Sequence, residues 1–182
     1  MENFCLDFIN SQWYTSHPPF KDGLSDPEWR QNWSHKWEFT LPEVLSSEKI
    51  DTLYWLRGLL SDSLDHLSQG LPIPQQQISE LNAFLEQFPL FYSLAVNNSG
   101  YAKNITNTTD AFNGILLNIA ISFLELVSEN DLERIKRCQN PDCGWAFFDE
   151  SKNNTRKWCG NTCSSLIKVR RFRERQKNQS AD

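Results

Sequence analysis

Apolar positions recur at helical spacing over most of the chain. Ile50, Leu53, Leu60, Leu64 and Leu67 predict a helix with Ser47 as N-cap, Glu48 and Asp51 in its first turn, and Gly70, Pro72 and Pro74 ending it. A second helix, about Gln75 to Gln87, presents Ile78, Leu81, Leu85 and Phe88, and Pro89 stops it. A third, about Asp110 to Glu129, carries Phe112, Ile115, Leu116, Ile119, Phe123 and Leu126 on a wide stripe and should centre the domain. Trp29, Trp33 and Trp37 recur every four residues, which stacks them on one helix face as a core seam, the alternative being a ligand-facing aromatic wall. The opening Phe4-Cys5-Leu6-Asp7-Phe8-Ile9-Asn10 has a pattern that suits a strand or a short helix, and we read it as a helix.

Between Leu90 and Thr106 the period changes. Phe91 to Val96 and Tyr101 to Ile105 are rich in β-formers and are separated by Asn97-Asn98-Ser99-Gly100, which predicts a β-hairpin. Trp145 to Phe148 is strand-like, Ser151 to Thr155 turn-like, and Arg156-Lys157-Trp158 is expected to return as a second strand. The fold class is therefore α+β and mainly helical. Residues 1–133 are expected to form a helical domain with a small hairpin, 134–177 a small module ending in a basic helix, and 178–182 a disordered tail.

Charge sharpens this division. The overall net charge of −5 conceals 6 Lys/Arg against 18 Asp/Glu in residues 1–133, and 12 against 4 in residues 134–177. An acidic body carrying a cationic segment points to a polyanion partner, unless the two parts attract each other. The N-terminus lacks the cationic start and apolar run of a signal peptide, so the cytoplasm is the expected compartment. Residues 115–127, interrupted by Asn118, Ser122 and Glu125, fall short of the roughly 20 apolar residues of a membrane span, and no membrane partner is expected.

Four of the five cysteines also lie in the cationic part, as Cys138-x4-Cys143, fifteen residues, then Cys159-x3-Cys163. Two close pairs on separate turns supply the tetrahedral thiolate set of a structural zinc ion, Zn²⁺, at little cost in chain entropy. Disulfides are disfavoured in a reducing compartment, and a redox pair would want Cys-x-x-Cys. Four thiolates would also suit an iron–sulfur cluster. His17, His35 and His66 lie far away in sequence and none is required. Four protein ligands leave zinc no open position for water, and no nucleophile–base set or phosphate loop is present, so no enzyme is expected. A knuckle, a hairpin and a helix sharing one metal would make a treble-clef-like finger.

The helix expected from about Gly160 to Lys177 places Cys163, Leu166 and Ile167 near the metal. Lys168, Arg171 and Arg175 form one cationic stripe, and Arg170, Arg173 and Lys177 a second. Cations on a helix fixed by a metal module suit DNA phosphates and groove edges, so DNA is the expected partner. The competing reading is an interaction module in which this helix docks on an acidic domain or subunit. A homodimer and a small-molecule effector also fit the organisation.

Arg137-Cys138-Gln-Asn-Pro-Asp-Cys143-Gly-Trp145-Ala-Phe-Phe-Asp149-Glu-Ser151, Arg156-Lys-Trp158-Cys159 and Lys168-Val-Arg170-Arg171-Phe-Arg173 resemble the CGNR zinc-finger family, in which the finger follows an ABATE domain. Leu6-Asp7-Phe8-Ile9-Asn10 and Leu56-Arg57 resemble the corresponding parts of ABATE. The resemblance implies a stress-induced transcription regulator that binds DNA. It further implies that Asp7, Asn10 and Arg57 line a pocket, although a helix cap or a buried ion pair explains them equally well. Where the family follows its last cysteine with Gly-Asn-Arg, this chain has Ser164-Ser165-Leu166, and any contact of that arginine is lost.

Overall fold

The computed structural model describes residues 3–12, 22–42, 44–97, 100–107 and 110–179. Helix α1 (Phe4–Ile9) begins where Asn3 accepts the Leu6 backbone N–H, and it buries Cys5, Leu6, Phe8 and Ile9. The opening segment is thus helical, as its pattern implied. Asp26 caps α2 (Pro27–Lys36), with Pro27 in the first turn, where a missing N–H costs nothing. The tryptophan seam forms as expected. Trp33 stacks on Trp29 at 5.4 Å between ring centroids and on Phe8 at 5.7 Å, and Phe4 joins it from α1. Trp37 sits at the end of α2 and turns its indole N–H onto Asp7 at 2.7 Å.

Helix α3 (Ser47–Ser68) is the longest, and its cap is Ser46, one residue earlier than the sequence implied, because the Ser46 hydroxyl takes the Lys49 N–H. Helix α4 (Gln75–Leu85) ends two residues before Gln87. Helix α5 (Ala111–Ser128), capped by Asp110, lies at the centre. It is apolar enough over 18 residues to match a membrane span by composition, yet Phe112, Ile115, Leu116, Ile119, Phe123 and Leu126 are all buried against the other helices.

The ribbon of β1 (Leu90–Asn97) and β2 (Gly100–Asn107) is antiparallel, with Leu94 opposite Lys103 and Val96 opposite Tyr101. Its expected turn residues Asn98 and Ser99 lie outside the described residues, as does His17. A second small sheet pairs β3 (Ile135–Arg137) with β4 (Ala146–Phe148). This corrects the expected strand at Arg156 to Trp158. The true partner of β4 lies upstream of the first cysteine pair, so the Cys138–Cys143 knuckle is itself the turn of the hairpin. Helix α6 (Asn161–Gln179) runs two residues past Lys177, into the segment expected to be a tail, and 180–182 lie outside the described residues.

The hairpin of the finger is no loose satellite. Ile135 and Ala146, each 2% exposed, belong to the same apolar core as α1, α3 and α5. Arg137 ties the finger to α3, donating to Asp65 at 2.7 Å, to the Ser61 carbonyl at 3.0 Å and to the Gly144 carbonyl of the knuckle at 2.8 Å. The finger therefore leaves the body from a rooted base.

Candidate metal centre and basic helix

Cys138 closes β3, Cys143 ends the knuckle, Cys159 precedes α6, and Cys163 lies in its first turn, so three local structures deliver four thiols to one point. The four sulfurs lie within 4.8 Å of one another, with Cys143 to Cys159 and Cys159 to Cys163 both 3.7 Å. A disulfide would need sulfurs about 2.05 Å apart. Bonds of about 2.3 Å from a tetrahedral ion would place its sulfur ligands about 3.8 Å apart. The spacing thus fits a four-thiolate metal cluster. The Cys159 thiol hydrogen-bonds to Cys143 and holds that thiol below the ordinary thiol range, while the same bond raises Cys159 itself. One member of the set is thereby predisposed to the thiolate a metal requires. His35 and His66 lie on α2 and α3, outside this cluster.

Buried polar groups around the cluster shape it, and sequence spacing alone did not single them out. Asn140, 2% exposed, donates its amide to Cys163 Sγ at 3.4 Å, the kind of outer partner that orients a ligand. The Cys159 N–H points at Cys138 Sγ at 3.4 Å, and the Cys138 N–H is taken by the Trp145 carbonyl at 2.9 Å. Asp149 is fully buried and receives Lys136 Nζ at 2.6 Å and the Arg156 and Ser151 N–H groups at 2.8 and 2.9 Å. Burial alone would raise its carboxyl, but these donors outweigh burial and hold it well below the usual carboxylate range. Ser151 to Thr155 forms the expected turn beside this acid, and Arg156, expected to begin a second strand, gives its N–H to Asp149 and does not pair with β4. Asp149 appeared in the sequence only as one acid of the finger motif.

Beyond the metal the helix is a rod in solvent. Leu166 and Ile167 are half-buried, and every residue from Lys168 to Gln179 is exposed, so among the described residues the cationic face is not packed against the acidic domain of its own chain. Lys168, Arg171, Arg173, Arg175 and Lys177 all project from this segment. Arg170 differs: it pairs with Asp142 of the knuckle, bracing the helix on the metal loop. The Arg175 guanidinium also reaches back to the Arg171 carbonyl at 3.2 Å. Phe172 is 58% exposed. Leu166, in place of the family's arginine, presents no donor there.

Asp7, Asn10 and Arg57 do not share one site. Asp7 and Asn10 line a cavity of about 220 Å³ between α1 and the finger, together with Lys36, Glu150 and Arg156. Within it Asp7 accepts from Lys36 at 3.0 Å and from Trp37. Asn10 pairs with both the N–H and the C=O of Ala146, each at 2.8 Å. Arg57 lies outside that cavity, buried in a forked ion pair with Asp22 at 2.8 and 2.5 Å, with Ser11 as a third partner.

Comparison with known families gives two matches along the chain. Residues 134–176 match the model of the CGNR zinc finger. Residues 2–130 match the ABATE model, whose description reads "Putative stress-induced transcription regulator". No curated protein matches the chain. With its larger part matched by that model, the chain belongs to the ABATE family and carries a CGNR zinc finger after the ABATE domain.

Proposed function

We propose that this protein is a DNA-binding transcription regulator of the cytoplasm, in which a structural Zn²⁺ ion held by Cys138, Cys143, Cys159 and Cys163 fixes α6 as the DNA-contacting element. The observation that carries this reading is a helix rooted at a four-thiol cluster and exposed at every position from Lys168 onward, with six cations and Glu174 as its one acid. A protein that needed this helix for internal packing would bury part of it. The exposed Lys168, Arg171, Arg173, Arg175 and Lys177 suit phosphate oxygens, and arginine forks also suit guanine edges. Arg170 contributes chiefly by bracing the helix.

Two further elements complete the reading. The cavity at Asp7 and Asn10 joins the ABATE domain to the finger, and an effector held there would act on the base of the DNA-binding helix. The β1–β2 ribbon supports a homodimer. Directly opposed residues of two strands share a face, so Leu90, Tyr92, Leu94, Val96, Tyr101 and Ile105 lie together, each more than 40% exposed. A lone two-stranded ribbon is marginal in water, and a two-fold axis would let this self-complementary face cover its copy.

Charge reversal separates DNA binding from the interaction-module reading. Arg171→Glu with Arg175→Glu should abolish duplex binding while leaving the melting midpoint unchanged, since both side chains are exposed. A shifted midpoint or altered assembly with intact DNA affinity would instead favour docking on a protein surface.

A further inference from the structure

A second cavity, of about 420 Å³, opens beside the first and shares Asn10 and Trp145 with it, but its chemistry differs. Lys36 and Arg156 serve the first. The second is lined by Trp29 and Trp145 with the carboxylates of Asp26 and Glu28 and the amide of Asn32, and has no Lys or Arg among its described lining residues. We infer that this cavity binds a small organic cation with an apolar body, the body lying against the Trp29 and Trp145 side chains and the charged nitrogen facing Asp26 and Glu28.

The walls are built in advance of any ligand. A Cβ on Gly23 would come within 2.5 Å of the Trp29 ring, so the indole lies flat on bare backbone at that point. Trp33 stacks on the same ring, with an interplanar angle of 23°. Trp29 therefore has little rotamer freedom to lose on binding. Trp145, which lines the same cavity, packs against the cysteine cluster, and its backbone is held because its carbonyl accepts the Cys138 N–H and its neighbour Ala146 is paired with Asn10. The ABATE domain, which carries 18 acids against 6 bases up to residue 133, adds a long-range attraction for cations. Apolar walls supply affinity, and a few placed carboxylates supply selection by charge. Because one wall belongs to the metal module and the other to α2, an occupant would join the two parts of the molecule.

A charge series on one carbon skeleton tests this directly, independently of DNA. Phenethylammonium, 2-phenylethanol and phenylacetate are titrated into the metal-loaded full chain by isothermal calorimetry, with the indole N–H signals followed by NMR. The cation is expected to bind at least about tenfold more tightly than the alcohol, with phenylacetate weaker still. Glu28→Gln, a change at an exposed side chain that leaves packing intact, should reduce that preference for the cation several-fold. Trp29→Phe should weaken all binding. Equal affinity for cation and alcohol, a preference unaltered by Glu28→Gln, or no heat and no indole shift with phenethylammonium would each overturn the assignment.

Discussion

At the scale of single residues, two buried polar groups do the joining. Asn10 imitates a strand by pairing its amide with both backbone groups of Ala146 in the core. Alanine there would leave a buried N–H and a buried C=O without partners, each worth about 1–3 kcal/mol. Asn10→Ala is thus expected to lower the unfolding free energy by about 3 kcal/mol in a urea titration, and a loss under 1 kcal/mol would contradict this role. Asp149 makes an acid-sensitive contribution. Its carboxyl lies below its unfolded value, so the stability it adds is fully present above the unfolded value near 3.9 and is lost as pH falls toward its folded value. Wild type should lose stability steeply below about pH 4, and Asp149→Asn, about 3 kcal/mol weaker at neutral pH, should show a flatter acid limb. Neither role was legible in spacing. Asp7, Asn10 and Arg57 stood out only through family resemblance, and a residue type does not say whether it faces a cavity, a cap or a backbone strand.

Among elements, periodicity carried furthest where one face is buried. Helices α3, α4 and α5 fall within a residue or two of their expected bounds, because stripes such as Leu53, Leu60 and Leu64 have a single core to face. The finger hairpin was harder. Ile135-Lys136-Arg137 is only three residues long, and its apolar signal rests on Ile135 alone, whereas Arg156-Lys157-Trp158 offered an equally short match. Burial of Asp149 decided between them, and burial is tertiary. The root of the finger also changes what metal removal should do. Ile135 and Ala146 are held by the main core, so chelation should free Cys138 to Cys143 and the base of α6 while β3 and β4 persist. Hydrogen exchange with and without chelator checks this: protection should vanish over 159–167 and survive at Ile135 and Phe148. Uniform loss across 134–167 would mean that the metal alone folds the finger.

For the whole molecule, the charge split took a simple form. Among the described residues the acidic body and the cationic helix are not packed together, because α6 leaves the four-thiol cluster and is exposed from Lys168 onward. Sequence alone could not choose between a docked and a free helix, since both keep the same charge pattern. The ribbon face belongs to the same scale. Leu94→Glu is expected to convert a dimer to a monomer in light-scattering chromatography without changing helix content, and a wild-type chain that is already monomeric would remove the dimer from the account.

The central claim, that α6 engages phosphates, is tested most directly by fluorescence anisotropy of the metal-loaded full chain on a random duplex, from about 50 to 200 mM salt. Five exposed cations predict a fall in affinity of about 500-fold across that range, with log affinity linear in log salt. No binding at the lowest salt, or an affinity indifferent to salt, would contradict the account.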